Sequence, residues 1–396
     1  MAINITDYFR NDGKDSDQID VHLTAEQVEA IGAELDELRT RIMADVGQKD
    51  RDYIYGIIRA QRKLEFAGRA AMYVPFIPPV WLAGVASLGI SKILDNMEIG
   101  HNVMHGQYDW MREDTYNSRD FDWDTVCPGE QWKHSHNYMH HTFTNVIDED
   151  RDIGYGILRM ARDQKWNPYY LGNLAYATAL MFLFEWGVML HDLEVEKIVQ
   201  GERKWNDIKG LVKGQVRKAG KQVLKDYVIW PALTGPFFAT TLVGNAGANL
   251  IRNIWTYSII FCGHFPTGAQ TFTKEETENE TKGEWYLRQM LGSANIEGSE
   301  LFHIMSGNLS HQIEHHLFPD VPANRYPEMA KEVREICEKY DLPYNTGGLT
   351  KQLGSTWKKI AKLSLPNSWT KDDNNVHLHI ERAHDAAKAT RTTKVA

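Results

Sequence analysis

Four stretches of the chain carry no Asp, Glu, Lys or Arg. About 22 such residues separate Arg69 from Lys92, about 19 Lys165 from Glu185, about 25 Asp226 from Arg252 and about 21 Arg252 from Lys274. Each is close to the length of a helix that spans a bilayer. Pro78-Pro79 interrupts the first and Gly244, Asn245 and Gly247 the third, and each set predicts the far-side turn of a helical hairpin. At helical rise, Pro79 to His101 covers about 33 Å and Gly247 to His264 about 26 Å. Both returning helices would deliver a histidine near the same membrane face.

Ahead of these stretches the pattern changes. Residues 1–23 are polar and read as a mobile segment without the apolar core of a secretory signal. Thr24-Ala-Glu-Gln27 fits a capping box. Val28, Ile31, Leu35, Leu38 and Ile42 then recur at helical spacing, which predicts an amphipathic helix over roughly 25–46. The stretch 197–225 is rich in Lys and Arg, and such loops stay in the cytoplasm. A single full span over 166–190 would put that stretch outside. Either 166–190 is re-entrant or interfacial, or the charge rule fails here. The tail, about 368–396, is polar with alternating charge and reads as solvated and flexible. The expected organisation is an N-terminal cytosolic region (1–60), a membrane-embedded domain (61–345) and a C-terminal cytosolic segment with a flexible tail (346–396).

Composition alters this picture in two places. Mean hydropathy is -0.46 and charged residues make up 24% of the 396, the averages of a soluble protein, which local spans escape. The net charge of -9 argues against a nucleic-acid partner, which selects a basic excess. The three cysteines, Cys127, Cys262 and Cys337, form no CxxC pair, which argues against a disulfide framework, a cysteine zinc site and an iron–sulfur cluster. No GxGxxG follows a strand pattern, so no nucleotide-binding fold is expected.

The 16 histidines carry the chemistry. His101 and His105 lie in HNVMH, His136, His140 and His141 in HNYMHH, and His311, His315 and His316 in HQIEHH. In a helix, residues i and i+4 share a face, so two imidazoles at that spacing can share or flank one metal ion. A doubled histidine adds a ligand turned about 100° round the helix, which suits a second metal. A lone HxxxH means little, but two copies of HxxxHH are beyond chance. Zinc closes with four ligands, and calcium and magnesium prefer oxygen. Eight clustered histidines fit two redox metal ions better. Ligating histidines need a partner on the other ring nitrogen, and Glu98, Asp109, Asp148, Asp150, Asp152, Glu314, Asn102 and Asn308 are the candidates. His134 and His303 are borderline, while His22, His191, His377, His379 and His384 read as solvent-facing or incidental.

HNVMHGQYDW, HNYMHH and HQIEHHLFPDVP resemble the three histidine boxes of the membrane fatty acid desaturase family, in the family's order and spacing over about 95–330. The wider wording, with IFCGHFP, WYLRQMLGSAN and MSGNLSHQIEHHLFP, is similar to actinobacterial acyl-CoA desaturases. The resemblance implies an all-α integral membrane protein of about four spans under a cytosolic histidine-rich helical cap. It implies two iron ions held by His101, His105, His136, His140, His141, His264, His311, His315 and His316, with His311 or Gln312 leading the third box. His264 enters as the ligand at the end of the last apolar run. The implied activity is O2-dependent insertion of a cis double bond into a fatty acyl chain, with acyl-CoA as substrate. No flavin, nicotinamide, four-cysteine or HPGG-type haem motif accompanies the boxes, so a separate electron donor of ferredoxin or flavin reductase type is implied. The implied location is the inner membrane, multi-pass, with the active site and both termini facing the cytoplasm. A hydroxylase or epoxidase on the same core is the alternative among enzymes, and a metal transporter the alternative from another class.

Overall fold

The computed structural model describes residues 19–194, 197–198, 201–370 and 376–381. Strand β1 (Ile19–Thr24) leads into α1 (Ala25–Ala44), followed by α2 (Gln48–Ala71) and α3 (Pro78–Ile93), which continues through a π-helical turn to His101. After a long loop come α4 (Gly129–Trp132), also continued by a π-helical turn to His140, then α5 (Asn173–Phe182) and α6 (Phe184–His191). Next come α7 (Trp205–Val223), extended by further helical turns to Leu233, and α8 (Phe238–His264), the longest unbroken helix among the described residues. The cap is completed by α9 (Lys282–Leu291), β2 (Asn295–Glu297), α10 (Gln312–Leu317), α11 (Tyr326–Lys339), β3 (Thr346–Gly348), α12 (Leu349–Leu363) and β4 (Val376–Glu381). The all-α expectation holds for the bulk of the chain, with two small parallel strand pairs added to it.

Helix α1 starts where the pattern predicts. The Thr24 hydroxyl accepts from the Gln27 N–H at 3.3 Å, and the Gln27 amide oxygen accepts from the Thr24 N–H at 2.9 Å. Its stripe of Val28, Ile31, Leu35, Leu38 and Ile42 is buried, packed with Tyr286, Leu287, Met329 and Val333 of α9 and α11. The approach to α9 is tight. A Cβ on Gly283 would sit 2.4 Å from the Val28 carbonyl oxygen, so only glycine fits.

The two chain ends differ from the sequence expectation where they are described. β1 pairs in parallel with β4, Ile19 opposite Val376 and Thr24 opposite Glu381. Val21 and Leu23 are buried, because strand alternation puts both on one face. The rest of the two segments read as mobile, 1–18, 371–375 and 382–396 with His384, lies outside the described residues.

Pro78-Pro79 does mark a hairpin: α2 ends at Ala71, and both prolines occupy the first turn of α3, where a missing N–H costs nothing. Gly244, Asn245 and Gly247 do not. They lie inside the unbroken α8, and the turn falls earlier, at Gly235 with φ 58°. The interior glycines serve close packing instead. A Cβ on Gly244 would meet the Met72 sulfur at 2.6 Å.

Between α5 and α6 the chain bends by 104°, and no single helix among the described residues is both long and apolar enough to cross a membrane. Helix α3 runs only 16 residues before its π-helical turn, and α8 carries Asn245, Asn249 and Asn253 around Arg252. Lys92 of α3 binds Asp226 at 2.8 Å, and Arg252 of α8 binds Glu185 of α6 at 2.5 Å, all four buried.

Candidate metal centre

Four elements end at one level and carry the histidines there. The π-helical turn after α3 places His101, with His105 one turn on. The one after α4 places His136 and His140, α8 ends on His264, and α10 carries His315 and His316. Such π-helical insertions recur at functional sites. All of these rings are buried except that of His105, which is partly exposed.

The rings fall into two groups. Ligand atoms of His101, His105, His136 and His315 lie within 4.8 Å of one another, and so do those of His140, His264 and His316. His141 bridges them, its ring 4.7 Å from His105, 4.8 Å from His315 and stacked 4.5 Å from His316. The Nε2 atoms of His101, His105, His136 and His315, and both ring nitrogens of His141, are buried without a protein hydrogen-bond partner. Buried polar atoms are rarely left so. Two nitrogens at about 2.1 Å from one ion stand no more than about 4.2 Å apart, so a small contraction would close each group on a metal.

The opposite ring nitrogens are held. Asp152 Oδ2 lies 3.1 Å from His136 Nδ1, and both Asp150 oxygens lie 2.9 Å from His140 Nδ1. Asn102 Oδ1 meets His101 Nδ1 at 3.1 Å, Tyr326 meets His315 Nδ1 at 3.2 Å, and Gln289 and Thr144 meet His316 Nδ1. Of the expected carboxylates, Asp150 and Asp152 thus face the histidines. Glu98 instead accepts from Tyr53 and Asn308, Glu314 from Asn295 and Tyr344, and Asp109 from Ser118.

Burial favours the neutral form, the one that binds metal, in most of the rings. Burial first, and the neighbouring imidazoles second, push His105, His141, His315 and His316 well below the usual histidine range. His136 is lowered too, burial outweighing Asp152. His140 goes the other way: burial acts to lower it, but Asp150 and Asp152 prevail.

The third box divides. His311 points away, its ring 4.5 Å from that of His303, which in turn binds Ser310 at 2.7 Å. The Gln312 amide nitrogen lies 3.0 Å from His264 Nε2, and its oxygen is buried without a partner. His134 is exposed, and His22 and His379 stack on each other at 4.7 Å. The sequence reading missed His191. It is buried at the end of α6, its Nε2 3.0 Å from Asp152 Oδ1. No spacing links it to a box, and only the bend before α6 brings it back. An apolar cleft opens beside His101 and His136 and is walled by Met97, Trp132, Phe184, Val188 and Ile260.

Residues 78–348 match the family described as fatty acid desaturase. The chain is 47% identical over 356 residues to the NADPH-dependent stearoyl-CoA 9-desaturase of Mycobacterium tuberculosis, covering 89% of this chain and 83% of that one. It is 25% identical over 285 residues to the sn-1 linoleoyl-lipid 6-desaturase of Synechocystis, covering 69% and 77%. It is also 22% identical over 329 residues to the acyl-lipid (8-3)-desaturase of Mortierella alpina, covering 76% and 69%.

Proposed function

The chain belongs to the fatty acid desaturase family, and from that premise we propose that it is an acyl-CoA desaturase with two iron ions in the histidine layer. The carrying observation is the gathering of seven imidazoles into two groups, the first of which presents four partnerless Nε2 atoms beside an apolar cleft. The substrate class follows the mycobacterial relative, whose name specifies stearoyl-CoA. Two iron ions would supply O2 activation strong enough to take hydrogens from unactivated CH2 groups, which side-chain acids and bases cannot do. The balance is one –CH2–CH2– unit, O2, two electrons and two protons giving one –CH=CH– unit and two waters.

The residues of the chain bind, orient and exclude water. His101, His105, His136 and His315 would hold one ion, and His140, His264 and His316 the other, with His141 between. Gln312, rather than His311, is the third-box residue facing the second group. Trp132 and Met97 keep the cleft dry beside His101 and His136, which limits side reactions of the oxidant. The electrons come from a separate donor protein.

We read the C-terminal half of α2 with α3, and the end of α7 with α8, as two membrane hairpins making about four crossings. Exposed Phe66, Phe76, Leu82, Val228, Leu233 and Val243 would face lipid. The bent α5–α6 pair dips in and returns, which keeps the basic 197–225 stretch on the cytosolic side and satisfies the charge rule.

The test is expression in a host lacking the activity, with mass spectrometry of its fatty acids. A new cis-unsaturated acyl chain is expected, lost in His140→Ala and His315→Ala. A hydroxy or epoxy product would assign the alternative chemistry, and retained activity in both variants would overturn the ligand assignment.

A further inference from the structure

Two carboxylates back the two histidine groups, and they are supported differently. Asp150, behind His140, is fixed by the backbone: its oxygens accept from the Asn145 N–H at 2.8 Å and the Asp152 N–H at 2.9 Å. Asp152, behind His136, uses its side-chain oxygens on two rings. Oδ2 meets His136 Nδ1 at 3.1 Å, and Oδ1 meets His191 Nε2 at 3.0 Å.

His191 is itself oriented. Its Nδ1 lies 2.6 Å from the Val188 carbonyl oxygen, its ring packs 5.1 Å from Tyr155, and its own carbonyl accepts from Arg151 at 2.9 Å. A carbonyl only accepts, and an ionised carboxylate only accepts. The His191 ring therefore donates from both nitrogens and cannot turn without losing one bond. The 104° bend between α5 and α6 is what carries this ring back to the histidine level.

We infer that His191 is a positioning residue chiefly for one metal position: through Asp152 it aims the partnerless Nε2 of His136 at the His101, His105 and His315 group, while His140 of the other group stands 3.8 Å from the same Asp152 oxygen and is held closer, at 2.9 Å, by Asp150. This rests on the proposed metal reading. With Asp152 anchored only through side chains, loss of His191 frees the carboxylate to swing, and His136 loses its orientation. Asp150 needs no such support, because the backbone already holds it. Outer partners of this kind contribute about 10–100-fold to metal affinity.

The test is anaerobic Co(II) titration of the full-length, detergent-solubilised protein, followed by its visible absorption, without substrate. Two equivalents are expected for the wild type. His191→Phe keeps a ring and removes both donors. It is expected to weaken one equivalent by about 10–100-fold and the other distinctly less. His191→Gln, which keeps one donor for Asp152, falls between. If the Phe variant does not accumulate, the Gln variant decides by the same comparison with wild type. Two unchanged affinities, or equal loss of both, would overturn the role given to His191. A wild type that takes up no Co(II) would instead overturn the metal reading beneath it.

Discussion

In the cap, α1 lays Val28, Ile31, Leu35 and Leu38 against α9 and α11, and apolar contact alone accounts for their burial. One layer away His141, His315 and His316 are buried as deeply, yet they are polar, and several of their nitrogens lack protein partners. The first region is satisfied by its own side chains. The second is incomplete, since a buried polar atom without a partner costs about 1–3 kcal/mol. The difference separates what holds the molecule together from what the molecule is built to hold.

The largest effect expected from this contrast is that of metal removal. A strong chelator should take desaturation to background. It should also lower the thermal transition, because a metal at about 1,000 times its dissociation constant stabilises the native state by about 4 kcal/mol. Helical circular dichroism should stay unchanged below the transition. Loss of helix on chelation would mean that the cap does not stand without the histidine layer, and the contrast would fail.

Arg325 tests the joint between the cap and the body. It donates to Asp50 at 2.5 and 2.7 Å, to Asp45 at 2.8 Å and to Glu328 at 3.1 Å. Asp50 is fully buried at the start of α2. Removing one partner of a buried pair costs about 3–5 kcal/mol, so Arg325→Met should lower denaturant stability by that order while Co(II) uptake stays at two equivalents. The pair also gives a pH dependence. Burial pushes the Asp50 carboxyl up, but Arg325 and the Gly47 N–H outweigh it and hold the carboxyl below its ordinary 3.8. A depressed folded value means that the contribution is present above 3.8 and is lost as pH falls through the lower folded value. Asp50→Asn should abolish that part of the acid sensitivity; an acid limb identical to wild type would exclude Asp50 as its source.

How much of this could be read from the chain depends on the distance over which each signal acts. The capping box at Thr24, the stripe from Val28 to Ile42 and the Pro78 turn are local, and each appears where the pattern puts it. The histidine boxes are local too, though the pairing of His136 with one group and His140 with the other is not. Gly244 and Gly247 misled because glycine serves turns and close helix packing alike, and the neighbour that distinguishes them, Met72, is remote in sequence. His191 was missed for the same reason, since a single residue acquires meaning only from what it meets; β4 differs, because Val376, Leu378 and Ile380 alternate with polar residues, a local strand pattern lying within a tail that otherwise reads as solvated. Part of the basic 197–225 run is likewise engaged inside the molecule, Lys218 with Asp122 and Lys225 with Asp124.

The smallest expected effect belongs to Thr24, which closes β1 and caps α1 at once. Its hydroxyl accepts from Gln27, and the Gln27 side chain returns the bond. Thr24→Ala removes one half of the box and leaves the strand backbone intact, so the cost should be that of an N-cap, about 1 kcal/mol. Chemical denaturation can resolve this, and Co(II) uptake should not change, because the helix packs on the cap core and contributes no histidine to the metal groups. Gln27→Ala removes the reciprocal half. The two losses should be non-additive in the double variant, since each bond orients the other. If Thr24→Ala costs nothing, the start of α1 is held by the pairing of β1 with β4 rather than by its cap, and Asp20→Pro, which removes a backbone donor in that strand, should then be the more damaging change.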